Sequence, residues 1–249
     1  MSLLSVSYLN DKGYQIKSDF DRFTARLNVN SQMNSWFKVG ANMNTTVTTS
    51  NQSTADGGTS FVNPFFFTRG MAPIYPVYAY DPAKAGSFLK LENGKTRYDY
   101  GNLSALGLSN RPQYGGRHVV AETELNENFF RRNLLGGRAY GEITFLKDFK
   151  FTSNVGVDIT NANSIVFGNP EIGDGAPAGR ASNTFDNITS YNLSQLLTYN
   201  HSFGKHTVDA LLGHENYNLV SNTLDGSRSQ QILDGNYETA FADSTTVHF

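Results

Sequence analysis

Apolar and polar residues alternate strictly along several stretches of this chain, which places one set of side chains on each face of a strand. In Phe23-Thr24-Ala25-Arg26-Leu27-Asn28-Val29-Asn30 every odd position is apolar and every even one polar. Phe37, Val39, Ala41 and Met43 then alternate with Lys38, Gly40, Asn42 and Asn44, and only Ser31 to Ser35 separates the two runs. The spacing predicts a hairpin. A second pair repeats the design, with Leu135, Gly137, Ala139, Gly141, Ile143 and Phe145 set against Arg138, Tyr140, Glu142 and Thr144. After Lys147-Asp148, the residues Phe149, Phe151, Val155, Val157 and Ile159 are set against Lys150, Thr152, Asn154 and Asp158. A third hairpin pairs Tyr191 to His201 with His206 to about Tyr217 across Ser202-Phe203-Gly204-Lys205. Its alternation is weaker, because Gln195, Leu196 and Leu211 fall on the wrong faces. Leu4, Val6 and Tyr8 add one strand before the first hairpin. Seven strands are expected, near 4–10, 22–30, 36–48, 129–146, 149–160, 190–201 and 205–218.

The connections between them are lopsided. Short turns near Gln32, Lys147 and Phe203 alternate with longer segments: about Asp11 to Asp21, then loops at 49–128, 161–189 and 222–249. Membrane-spanning barrels have this layout, with tight turns at one rim and long extracellular loops at the other. A soluble antiparallel sandwich also alternates and also uses hairpins. Three features oppose it. Several strands outrun the usual length, an irregular stretch of about eighty residues is rare in a compact domain, and aromatics gather at the short turns. Trp36 and Phe37 follow the first turn, Phe145 and Phe149 flank the second, and Tyr199 and Phe203 mark the third. Rings along one rim resemble an interfacial aromatic girdle. The expected fold class is therefore all-β: an antiparallel meander of about seven long strands, part of a large transmembrane β-barrel with long extracellular loops.

Composition agrees with this and removes several function classes. Charged residues are 17% of the 249-residue chain, aromatics 13%, and there are 23 glycines, a vocabulary of strands and turns. The formal net charge of −2 carries no electrostatic footprint for nucleic acid. The absence of cysteine removes disulfides, thiolate metal sites and cysteine catalysis together. No run approaches the roughly 18–20 apolar residues of a membrane helix. The start MSLLSVSYLND lacks a basic region followed by an apolar core, so the chain is expected to be a section of a longer protein with its export signal upstream.

Candidate chemistry is sparse. His201, His206 and His214 cluster in the last hairpin, but their spacing does not converge on a zinc centre. His118 with Arg117, Glu122 and Glu124 has the residue types of an acid/base cluster, yet no nucleophile accompanies it; a salt-bridged polar surface at the end of the long loop is the plainer expectation. Gly173-Asp174-Gly175-Ala176-Pro177-Ala178-Gly179 lacks the Gly-Lys-Ser/Thr ending of a phosphate loop. Neither a catalytic residue nor a metal or cofactor site is expected. The long loop holds Phe65-Phe66-Phe67 and the tyrosines Tyr75, Tyr78, Tyr80, Tyr98 and Tyr100. Tyrosine combines a flat apolar face with a hydroxyl, so these five are the ligand-binding candidates, with packing against a partner or within the loop as the other use of the same surface.

Several stretches resemble a known family. Tyr8-Leu9-Asn10-Asp11-Lys12-Gly13, followed by Ser18-Asp19-Phe20-Asp21-Arg22-Phe23-Thr24-Ala25-Arg26-Leu27-Asn28, resembles the early barrel of SusC/RagA-type TonB-dependent outer-membrane transporters. Trp36-Phe37-Lys38-Val39-Gly40 and the run from Tyr140-Gly141-Glu142-Ile143 through Leu146-Lys147-Asp148-Phe149-Lys150-Phe151 are similar to it as well. The resemblance implies energised import of oligosaccharides or peptides across the outer membrane of Bacteroidetes-like bacteria. It also implies a SusD-like surface lipoprotein as lid and a TonB complex engaging parts of the protein outside this chain. Barrels of this class have about 22 strands, of which seven would supply about a third. On that reading Arg26, Lys38, Arg138, Glu142 and Asp158 face the lumen or a plug, while the apolar face meets lipid. The other reading of the same pattern is a soluble β-rich ligand-binding or adhesion domain.

Overall fold

The computed structural model describes residues 2–52 and 63–230. Seven strands form one antiparallel sheet in strict sequence order: β1 (Ser2–Lys12), β2 (Asp19–Gln32), β3 (Phe37–Asn51), β4 (Glu127–Phe145), β5 (Phe149–Gly168), β6 (Arg180–Phe203) and β7 (His206–Ser229). The expected meander is present, and a sandwich would need a second packed layer that the described residues do not supply.

The strands outrun expectation at one rim. β5 continues to Gly168 and β6 begins at Arg180, so the loop expected at 161–189 shrinks to 169–179. β7 runs through most of the described part of the loop expected at 222–249, and residues 231–249 lie outside the described residues. The stretch expected as a loop from Asp11 to Asp21 reduces to residues 13–18. The Asn-rich runs around 161–163 and 183–187 have poor strand propensity and read as loop. Pairing overrides it: Asn133, Asn161, Asn187 and Asn222 stand directly opposite one another across four strands. The Asn187 amide donates to the Asn161 side-chain oxygen at 2.6 Å.

Register sorts every strand onto two faces. Leu4–Leu27–Met43–Gly137–Val157–Tyr191 is one cross-strand row of the apolar face. Ser5–Arg26–Asn44–Gly136–Asp158–Ser190 is the adjoining row of the polar face. The weak alternation of the third hairpin also resolves. Gln195 stands opposite His214 and the two side chains hydrogen-bond at 2.8 Å on the apolar face. Leu196 stands opposite Gly213, where a Cβ would meet the Leu196 methyl at 3.1 Å.

On β4 the apolar face runs without a charged residue from Leu135 to Phe145, eleven residues. Eleven residues tilted by about 45° rise through roughly 24 Å, the height of a barrel's lipid-facing band. The asparagine ladder bounds the band at one end, with Arg131 one row beyond. At the other end, beside the short turns, Phe145, Phe149 and Tyr199 form one row with ring centroids 5.6 and 4.8 Å apart, continued by His201 and Phe203. Trp36 stacks on Phe37 at the same rim at 5.6 Å. His201 also pairs with Asp148 across the neighbouring turn at 2.9 Å.

Among the described residues the buried apolar side chains gather at the long-loop rim, not between layers: Phe67, Leu103, Phe167 and Ile172 are covered there, with Ala79, Ala121 and Ala181. Meanwhile Leu4, Val6, Phe23, Leu27, Met43, Val155, Val157 and Leu212 on the apolar face are all exposed. A contiguous apolar face of this extent is an interaction surface, not a soluble exterior.

Candidate functional site

Residues 63–126 of the long connection from β3 to β4 fold into a cap at the rim where the longer loops emerge. Its two short helices are α1 (Pro64–Gly70), with the Asn63 side chain accepting from the amides of Phe65 and Phe66, and α2 (Val119–Leu125), capped by His118. Between them, three extended segments pair cyclically. Ala79 N–H donates to Arg97 O at 3.0 Å, Leu89 N–H to Ala79 O at 2.9 Å, and Arg97 N–H to Leu89 O at 2.9 Å.

This pairing lines up the aromatic side chains. Tyr80 stacks on Phe88 at 5.2 Å, Phe88 meets Tyr78 edge-on at 5.7 Å, and Tyr78 stacks on Tyr98 at 5.2 Å. Tyr98 continues to His118 at 5.3 Å and to Tyr100 at 6.4 Å. Tyr80 and Phe88 lie exposed at one end of the file. At the other, the Tyr100 hydroxyl donates to Glu171 of the β5–β6 loop. Burial, then the hydrogen bond to Glu171, push the Tyr100 phenol well above its ordinary range, so it stays a neutral donor. Burial and neighbouring Tyr78 raise Tyr98 too.

Four of the five candidate tyrosines are thus brought together. Tyr75 is not among them: its ring faces the Arg111 guanidinium at 5.8 Å. Phe88, His118 and Glu171 complete the file and were not singled out for it from the sequence, although Tyr78/Tyr80 and Tyr98/Tyr100 are each two apart, the spacing of side chains on one side of an extended segment.

Beneath the aromatic file lies a buried charged network. The surface ion-pair cluster expected at 117–124 is instead largely interior: Glu122 and His118 are buried, and only Glu124 is exposed. Glu122 accepts from the backbone amide of His118 at 2.9 Å and pairs with Arg117 at 2.9 Å. Arg117 also pairs with Asp174, tying α2 to the β5–β6 loop. Burial raises the Glu122 carboxyl above its ordinary value, opposed by the His118 amide and Arg117. His118 caps α2 by accepting the Ala121 amide on Nδ1 at 3.1 Å, which requires a neutral ring with its proton on Nε2. Burial and the nearby Arg111 hold its basicity down. Arg111 is itself buried and donates to the carbonyls of Gln113 (2.9 Å), Tyr114 (2.7 Å) and Arg117 (2.6 Å), with Asp99 at 3.9 Å. Gly101, at φ +73°, leaves room for it, since a Cβ there would sit 2.8 Å from the guanidinium carbon. Lys17 stitches the β1–β2 loop to the same rim through Asn126 O at 2.8 Å and Glu127 at 2.9 Å. Through these bonds the network braces α2, the β5–β6 loop and the 99–117 segment against one another, while Glu122 Oε2 faces Arg117 with no hydrogen-bond partner among the described residues.

The five residues expected to face the lumen all lie on the polar face of the sheet. Lys38 stands opposite Glu142, Glu142 reaches Lys150 at 3.9 Å, and Arg138 donates to Asn154 at 2.8 Å. Arg26 and Asp158 share one row, separated by β3 and β4. The histidines considered as metal ligands stand apart, His201 on Asp148 and His214 on Gln195, and no cluster of ligating side chains occurs among the described residues.

No family model matches the sequence, and no curated protein does. Solved structures do. The chain is similar to a structure of the RagAB peptide transporter, with a TM-score of 0.69 and 20% identity. It is also similar to the RagAB peptide importer in its closed-closed state (TM-score 0.68, 19%) and its open-open state (0.68, 18%). What is shared at this identity is the fold. The alignments cover 100%, 98% and 100% of this chain but only 26%, 25% and 26% of those chains, so it spans about a quarter of their length.

Proposed function

We propose that this chain is a section of wall and outer cap from an outer-membrane, TonB-dependent importer of the SusC/RagA kind, carrying peptides or oligosaccharides. The observation that supports it most is the two-faced sheet: an apolar band about 24 Å tall, closed by an aromatic row at one edge and an amide ladder at the other, backed by a hydrophilic face. Band height, girdle position and the gathering of the longer loops at the opposite rim follow from one arrangement, in which the apolar face meets lipid and the short turns face the periplasm. Arg26, Lys38, Arg138, Glu142 and Asp158 then line a water-filled interior or grip a plug. The aromatic file of Tyr78, Tyr80, Tyr98 and Tyr100 stands at the outer mouth, where it contacts incoming ligand or a SusD-like lipoprotein lid. Likeness to peptide importers favours peptides over oligosaccharides. The section does no covalent chemistry; energy enters through a TonB complex acting on parts of the protein outside this chain.

Depletion of defined peptide and oligosaccharide mixtures by cells carrying the full-length protein tests this. One class is expected to be depleted faster than by the deletion strain, and a protonophore abolishes the difference. Equal depletion of every class by both strains overturns the reading.

A further inference from the structure

Resting on the import reading and adding to it the charge of the ligand, we propose that Arg22, Arg26 and Arg132 form a carboxylate-binding site on the polar face near the outer rim. Its ligand is an acidic peptide or a uronate-bearing oligosaccharide. Register places the site. Arg22 stands opposite Thr48, which stands opposite Arg132, so the two arginines flank one threonine about 9–10 Å apart, two strand spacings. Arg26 lies four residues along β2, roughly 13 Å from Arg22. The three side chains line a single concavity with the hydroxyls of Ser5, Ser7, Thr46 and Thr48.

Partnering separates these arginines from the other charges on the face. Nearer the short turns, Arg138 is held by Asn154 and Glu142 by Lys150. Among the described residues Arg22, Arg26 and Arg132 make no ion pair, and all three are exposed. Asp186, two strands from Arg132 in the same row, accepts from the Thr223 hydroxyl at 2.6 Å. Asp158 is three strands from Arg26. Among the described residues only Asp11, diagonal to Arg22 across β1, lies close enough to offset one of the three charges.

An uncompensated excess of guanidinium in a concavity is a fork-shaped receptor for planar carboxylates, which accept two parallel N–H bonds from each arginine. Several carboxylates spaced along one extended ligand match the roughly 10–13 Å separations better than a single anion does. Hydroxyl groups between the arginines supply further donors.

The test measures binding of three ligands to the purified full-length protein: a glutamate-rich octapeptide, its glutamine counterpart and an oligogalacturonate of similar length. The triple variant Arg22→Gln/Arg26→Gln/Arg132→Gln is expected to lose at least tenfold affinity for one or both acidic ligands, with binding of the neutral peptide unchanged. Which acidic ligand responds assigns the source. Raised salt weakens the same ligands in the parent protein, a triple-lysine variant recovers part of the loss, and Arg131→Gln, on the opposite face, changes nothing. If the glutamine peptide binds and the triple variant treats it and the acidic ligands as the parent does, the site is refuted while import stands. If the triple variant alters only thermal stability, the arginines serve internal pairing and the proposal fails. If no ligand of any class binds or is taken up, the import reading falls and takes this site with it.

Discussion

Arginine placed on the apolar face at mid-band is the sharpest perturbation the fold offers. The band spans Leu135 to Phe145 on β4, so its centre lies near residue 140, and Val155, paired with Ala139, sits one residue from it. Each residue of a strand tilted by about 45° advances roughly 2.4 Å along the membrane normal. Crossing to a neighbouring tilted strand shifts the height by roughly 3 Å more, so Val155 is then within about 6 Å of the midplane. Ile165, paired with Phe129, lies eleven residues from the centre and roughly 26 Å away, beyond the hydrocarbon. Arginine at the midplane of a barrel's lipid face costs about 2–4 kcal/mol, falling to about 0–1 near the interface. Val155→Arg should therefore cost about 2–4 kcal/mol, Leu27→Arg, two tilted strands away and so shifted in depth by roughly a further 7 Å, about 1–4 kcal/mol, and Ile165→Arg close to nothing. Asn28→Arg, beside Leu27 but on the polar face, should be tolerated. Denaturant titration of the full-length protein in phospholipid vesicles, with gel-mobility shift as an independent count of folded molecules, gives the differences. Equal cost at Leu27 and Asn28, or no decline from Val155 to Ile165, would refute the lipid-facing assignment.

Three further outcomes follow from local geometry. Gly40 lies beneath the Tyr140 ring, whose hydroxyl donates to Asn30 at 2.8 Å, and a Cβ there would overlap both side chains; Gly137 has open space. Gly40→Ala is expected to destabilise by about 1–3 kcal/mol and Gly137→Ala by much less, read from the same titrations. His118 is less basic in the folded cap than in an unfolded chain, where it titrates near 6.5. The unfolded state thus binds the extra proton first, and its contribution to cap stability, full above about pH 6.5, is lost as pH falls below that value. Raised Glu122 acts oppositely and reduces the loss. Limited proteolysis within 63–126 should accelerate between pH 7.5 and 5.5, and His118→Asn, which keeps a capping acceptor, should flatten that dependence. With a ligand stacked on the aromatic file, Tyr78→Ala and Tyr98→Ala each remove one ring contact to it worth about 0.5–1.5 kcal/mol, so the KM for uptake should rise roughly 2- to 10-fold, with Tyr75→Ala less affected.

Strand number, order and the sidedness of the first five strands were legible because period-two alternation is a local signal that pairing merely reinforces. Phe23 to Asn30 and Phe149 to Ile159 read correctly residue by residue. Asn161 and Asn187 did not, because their strand conformation depends on a partner two dozen residues away. Gln195 and His214 looked misplaced singly and make sense only as a pair. In the cap, the tyrosines were recognisable as a class. Their file depends on the cyclic pairing around Ala79, Leu89 and Arg97, which no period announces. Glu122 read as surface charge because nothing local shows that Gly173 of another loop closes over it; a Cβ at Gly173 would lie 2.7 Å from its carboxyl carbon.

The two-faced wall is tested most directly by nitroxide scanning of β5 from Phe149 to Gly168 in the full-length protein in bilayers, a section free of native cysteine. Odd positions through Ile159 should be accessible to oxygen and shielded from a water-soluble nickel complex, even positions the reverse, and the odd-position preference should switch to water beyond Asn161. Accessibility without a two-residue period, or odd positions shielded from both reagents by packed protein, would contradict a lipid-facing wall.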